Sequence, residues 1–206
     1  MFTGFTDNTL RYFLDLRFNN SSEFFHATHD QYLEYVQKPF YDLIEDLSPL
    51  MREIDPLMEV RPSRCLSHIH RDTRFTKDKS PYRDHLWFLF RRASEPREKS
   101  LNYFFEFGPE TFGWGMGFWG ENREVLDIFR KKIIADPDEV RSILPSQDSS
   151  KLVLDGSIHK RIKIPDEVPD DLKRWYIIKE MYICHERPVF SNAFEAKLAD
   201  SISKDY

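Results

Sequence analysis

Within the nineteen residues Ser67–His85, the chain places three histidines, five lysines or arginines and three aspartates. The stretch reads S-H-I-H-R-D-T-R-F-T-K-D-K-S-P-Y-R-D-H. Imidazole changes charge near neutrality, so His70 and His85 are candidates for proton transfer. Asp72 would orient a histidine or an arginine. Arg71, Arg74, Lys77, Lys79 and Arg83 are candidates for holding an anion: arginine offers a planar fork and lysine a movable point charge. Such a cluster suits a compact phosphate or carboxylate better than a long polyanion. Tyr82 would add a hydrogen bond. Between Arg61 and Arg92 the formal charge is +6, against −5 for the whole chain.

Two other readings use the same residues. Asp72, Asp78 and Asp84 could answer the arginines across the loop as a structural ion-pair network, because partly buried arginine usually has a carboxylate partner. The segment could also dock an acidic protein or nucleic acid, with Tyr82, Trp87 and Trp114 stacking bases. The excess of acid elsewhere and the absence of a nucleic-acid motif make nucleic acid the weaker partner. On a strand, His68, His70 and Asp72 share a face and could start a metal site. His26 and His29, at i and i+3, could do the same on a helix. Neither pattern directs a third or fourth ligand, so no metal is assigned, and no cofactor follows from the sequence. Oligomeric state is not legible.

The elements that must position these residues come next. Cys65–Arg71 reads as a short strand entering a loop anchored by Phe75, and Ser80-Pro81 marks a turn. Tyr82–Phe90 is the return strand. Asp7–Arg17 reads as a helix capped by Asp7, with Leu10, Phe13 and Leu14 on one face. Asn20 with Glu23 forms a capping box for a second helix. Pro39 kinks that helix or begins a third, which ends near Pro49. Leu101–Gly108 is an aromatic strand, and Gly113–Gly120 has glycine at every second position through Gly117. A glycine face admits close backbone packing, or it forms the floor of a ligand pocket with Trp114 beside it. Asn122–Ala135 and Asp136–Leu144 are helices, the second opened by Asp136 and Pro137 and stopped by Pro145. Ser146–Ser150 reads as loop and Lys151–Pro165 as short strand pieces turning at Gly156, with Lys160, Arg161 and Lys163 adding positive surface. A helix from Asp170 or Asp171 through Ile183 and a last one capped by Asn192 close the chain. Helices first, an antiparallel sheet in the middle and helices last make a single α+β domain over residues 1–206.

The motif "IHRDTRFTKDKSPYRDHL" resembles the signature of the domain of unknown function 2461 family of conserved hypothetical proteins. "FTGFTDNTLRYFLDLRFNNSSEFFHATHDQY", "GWGMGFW" and "RKKIIADPDEVRSIL" resemble its opening, its glycine-rich strand and its following helices, in order. The resemblance covers most of the chain and is weakest over the last forty residues. It implies a single α+β domain, found mostly in bacteria and some fungi, and it brings no established activity.

Composition bounds the rest. Aromatics are 15% of 206 residues, with 18 Phe, enough for a substantial core. No stretch is apolar enough to span a bilayer, and the N-terminus lacks a basic and apolar leader pattern. Cys65 and Cys184 then read as reduced thiols, and the expected location is cytoplasmic.

Overall fold

A computed structural model describes residues 1–118, 120–144, 152–185 and 190–206. In chain order its helices are α1 (Asp7–Phe18), α2 (Ser22–Ala27), α3 (His29–Tyr32), α4 (Lys38–Ile54), α5 (Pro62–Cys65), α6 (Arg123–Ala135), α7 (Pro137–Ile143), α8 (Lys173–Tyr176) and α9 (Leu198–Asp205). Its strands are β1 (Met58–Glu59), β2 (Leu86–Arg92), β3 (Asn102–Phe107), β4 (Phe112–Gly117), β5 (Leu152–Asp155) and β6 (Tyr182–His185). The sheet is antiparallel with order β1-β2-β3-β4-β6-β5, an α+β arrangement. The chain divides into two compact units, residues 1–93, 103–114 and 187–206 forming one, 94–102 and 115–186 the other. Trp119, Pro145, the Ser146–Ser150 loop and Lys151 lie outside the described residues.

The first unit is built on alternating aromatics. β2 and β3 pair Leu86 with Phe107, Phe88 with Phe105 and Phe90 with Tyr103, all buried on one face. Phe5 lies parallel to Phe107 at 4.4 Å, and Phe40 of α4 meets Phe105 edge-on at 6.0 Å. Each buried ring removes enough apolar area to contribute roughly 1.5–3 kcal/mol. The alternation leaves Trp87 and Glu106 paired on the opposite, half-exposed face.

The N-terminal helices differ from expectation in detail. α1 begins at Asp7 with Thr6 as its cap, and buries Thr9, Tyr12, Phe13 and Leu16 while Leu14 faces out. Ser21, not Asn20, caps α2, its hydroxyl accepting from Phe24 N at 3.2 Å. A π-helical turn, Leu33–Gln37, joins α3 to α4. α4 runs through Pro49 to Ile54, and Met51 continues beyond the proline the face that Leu47 and Ser48 bury before it. Cys65 packs in this core too, and burial pushes its thiol up to about 12.

The second unit packs Ile133 of α6, Val140 of α7 and Trp175 of α8 around Val168 and Leu172. Asn122 and Asp136 cap α6 and α7 as their side chains suggest. The long C-terminal helix expected through Ile183 ends at Tyr176 instead, and Tyr182 and Ile183 belong to β6. The glycines of β4 explain the switch. A Cβ at Gly115 would lie 2.2 Å from Ile183 O, and one at Gly117 2.2 Å from Met181 O. At Gly115 and Gly117 the bare face is therefore filled by the backbone of and beside β6, while Gly113 lies open.

Candidate functional site

The Ser67–His85 motif folds as two antiparallel segments closed by a loop. Leu66 bridges to Phe88 and His70 to Tyr82. Ser67 N donates to Trp87 O, Arg83 N to Ile69 O and Arg71 N to Pro81 O, each at 2.8 Å. From Ile69 back to Ser67 the first segment advances two residues, while from Arg83 to Trp87 the return segment advances four. The two extra residues form a bulge, and the bulge presents Asp84 and His85. Bulges re-aim side chains in this way and recur beside functional sites.

The bulge is held from both ends. Asp84 Oδ2 accepts from Arg17 Nε at 2.5 Å, and Arg17 Nη1 also donates to Glu110 at 2.7 Å. Asp84 Oδ1 lies 3.0 Å from His85 Nδ1. An ionised carboxylate only accepts, so it holds a proton on Nδ1, and in the neutral imidazole Nε2 is then the acceptor. Nε2 is 3.8 Å from Glu106 Oε1. Burial raises the Glu106 carboxyl above its ordinary range, opposed by His85. For Asp84, burial works upward, but the bonds to His85 and Arg17 outweigh it and hold the carboxyl down. Gly108 sits opposite the bulge: a Cβ there would come within 2.4 Å of His85 Cβ.

The cations of the motif divide sharply. Arg74 donates from Nε and Nη2 to the two oxygens of Asp72, at 2.9 and 2.7 Å, and holds that carboxyl at about 2. Arg71 pairs with Asp78, and Lys79 donates to Thr73 O at 2.7 Å. Lys77 has no polar partner among the described residues. Arg83 differs from Arg71 and Arg74. Its Nη1 donates to His68 O at 2.9 Å and His70 O at 2.5 Å, with no carboxylate at ion-pair distance among the described residues. Its guanidinium lies over Trp87, 4.9 Å from the ring centroid, and the His85 ring is 5.8 Å from the same indole. Burial is the main influence lowering the Arg83 pKa.

The expected trio for proton transfer is therefore not one constellation. Asp72 is bound to Arg74, His85 is oriented by Asp84, and His70 packs 5.0 Å from Tyr82. Tyr82 is 3% exposed and stacks on Phe25 at 4.4 Å, so its ring is core rather than a ligand contact. Trp114 is 1% exposed and donates to Asp205 Oδ2 at 2.8 Å; it offers no surface to a ligand. Phe75, expected to anchor the loop, is 89% exposed. His68 and His70 instead line a pocket of about 260 Å³, together with Phe25, Tyr32, Gln37 and Tyr41. Among the described residues no group of three or more His, Cys, Asp or Glu stands together as a metal site. No helix among them is long and apolar enough to cross a membrane.

Sequence reading missed Arg17 and Glu106. Glu106 carried a usable signal: it alternates with Phe105 and Phe107, which places it on the face opposite the core. Arg17 carried none, because its partner is 67 residues away.

A family model described as "Conserved hypothetical protein (DUF2461)" matches residues 8–206. The chain belongs to that family. No curated protein and no solved structure matches it.

Proposed function

We propose that this chain binds a compact phosphate- or carboxylate-bearing small molecule against Trp87, with Arg83 as the cation and His85 as its proton-exchanging neighbour. One observation carries the reading. Arg83 is half-buried, oriented by two carbonyls and stacked on an indole, yet among the described residues it has no carboxylate of the kind that pairs with Arg71 and with Arg74. A guanidinium in that state keeps its remaining N–H groups for an anion. His85, with Asp84 on Nδ1 and its ring 5.8 Å from the same indole, turns Nε2 toward Glu106, whose carboxyl burial raises above its ordinary range. That pairing is suited to moving a proton on a bound acid.

The tip of the loop supports a structural role instead. Arg74 and Arg71 are occupied by Asp72 and Asp78, which lock the loop on itself.

The test is a thermal-shift titration with inorganic phosphate, acetate and succinate at two salt concentrations. It is run on the wild type, Arg83→Gln and Arg74→Gln. Stabilisation of the wild type and Arg74→Gln, lost in Arg83→Gln, is the expected result, since a ligand bound only by the folded state raises its stability. A response that survives Arg83→Gln, or no response to any anion, overturns the reading.

A further inference from the structure

We propose that the pocket walled by Phe25, Tyr32, Gln37, Tyr41, His68 and His70 binds a flat heteroaromatic ring of nucleobase size, recognised by its hydrogen-bonding edge. The site is separate in chemistry from the Arg83 surface, and nothing in the Proposed function depends on it.

Size comes first. The pocket holds about 260 Å³, below the ~300 Å³ at which cavities for drug-sized ligands begin. A single or fused ring fits that class, and a ring carrying sugar and phosphates exceeds it. Shape comes next. The buried Phe25 and Tyr32 rings, 5.5 Å apart, form the inner wall. His29 and His70 stand nearly edge-on to Phe25, at 5.6 and 5.8 Å. A flat occupant can satisfy such walls by stacking and edge contacts together.

The polar groups then choose the class. No Asp, Glu, Lys or Arg lines the pocket. Its polar inventory is imidazoles, the Gln37 amide and the hydroxyls of Tyr32, Tyr41, Ser63 and Ser67, with Gln37 and Tyr32 already hydrogen-bonded to each other. Ser67 Oγ already accepts from Trp87 N at 3.1 Å, which leaves its own hydrogen to donate. Neutral imidazole and primary amide each offer both a donor and an acceptor. A lining that mixes both, with no Asp, Glu, Lys or Arg, matches a ring whose edge alternates donors and acceptors. A bare phosphate would find no permanent cation there.

The backbone supports the assignment independently. Tyr32 and Gln37 flank and end the π-helical turn, and both line the pocket. Such turns interrupt good helical hydrogen bonding and are frequent at functional sites. Burial pushes the Tyr32 phenol up, so it stays a protonated donor, and the Gln37 side chain works against that shift.

The experiment is isothermal titration of the full chain with adenine and uracil, with indole as a flat control poor in acceptors. His70→Ala, the conservative Tyr41→Phe and Phe75→Ala are titrated alongside, with melting curves confirming that each is folded. The expected result is saturable binding of at least one base, weakened about tenfold or more in Tyr41→Phe or His70→Ala, as loss of an edge hydrogen bond implies, and unchanged in Phe75→Ala, whose ring is exposed and outside the lining. Absence of base binding by the folded wild type overturns the proposal. So does binding indifferent to both pocket variants, or indole binding as tight as the bases. Failure of the anion site would appear only in the Arg83→Gln comparison with phosphate, so the two readings fall separately.

Discussion

The side-chain amide of Asn20 and the backbone of Tyr82 exchange two hydrogen bonds. Asn20 Nδ2 donates to Tyr82 O at 3.0 Å, and Tyr82 N donates to Asn20 Oδ1 at 2.9 Å. An amide side chain here does the work of a neighbouring strand. It ties the junction of α1 and α2 to the return segment of the motif, one residue before Arg83 and two before the bulge.

Replacing Asn20 with Ala leaves a part-buried N–H and a carbonyl without partners. A loss of roughly 1–3 kcal/mol is expected from stranding such groups. Urea unfolding would measure it, and Asn20→Asp, which keeps the acceptor and loses the donor, should fall between Ala and wild type. An Ala variant as stable as wild type would show that water replaces the amide at no cost.

Asp84 gives the pH dependence. Its carboxyl is held below the ordinary range in the fold. The contribution it makes is therefore present above the unfolded carboxylate value, ~3.9, and is lost as pH falls through the lower folded value. Asp84→Asn should melt below wild type at pH 6, and the gap should narrow as pH is lowered from 5 toward 3. Melting curves across that range check it; a gap that stays constant with pH would mean the carboxylate charge is not what stabilises the bulge.

Two phenylalanines separate core from loop. Phe5 is 2% exposed and touches Phe2, Phe40, Phe105 and Phe107. Phe5→Ala should cost about 3–5 kcal/mol, the range for emptying a buried aromatic site. Phe75→Ala should stay within about 0.5 kcal/mol, as for other surface substitutions. Equal losses in the two variants would contradict the packing described.

The two cysteines should be chemically quiet. Burial raises both thiols, Cys65 to about 12 and Cys184 in the same direction, and the thiolate is the reactive form. Iodoacetamide at pH 8 should label the native chain slowly at both positions and rapidly after urea unfolding. Mass spectrometry of the peptides reads this, and fast native labelling of Cys65 would place it outside the core.

Gly115→Ala should destabilise the sheet, because Ile183 O occupies the space its methyl needs; Gly113→Ala should be near neutral, because nothing lies within 4 Å of that position. Thermal melts of the pair decide whether the glycine face serves strand packing.

How much of this was legible follows from where the physics is local. The β2 and β3 strands, α6 and α7 carry periodicity and caps within their own sequence, so they were readable. Asn20 fits a capping pattern with Glu23 equally well, and only the distant Tyr82 backbone decides otherwise. Pro49 looks like a stop until the buried face on both sides of it is known. Tyr182 and Ile183 follow helical spacing, but the glycines of β4, more than sixty residues earlier, claim them for a strand. At the site, the motif and its ligand class of residues stood out in sequence. The division between answered arginines and Arg83 did not, since it depends on which of them the folded loop brings to Asp72 and Asp78.

The bulge itself has a parity. Two surplus residues, an even number, leave the in-and-out phase of the return segment intact, so Leu86 and Phe88 still face inward beyond it. Excising Asp84 and His85 together would close the ladder with every later side chain on its present face. Excising either alone would turn β2 over and carry its phenylalanines into water. Only a change of length by an even number of residues at this corner keeps the buried face of β2 inward.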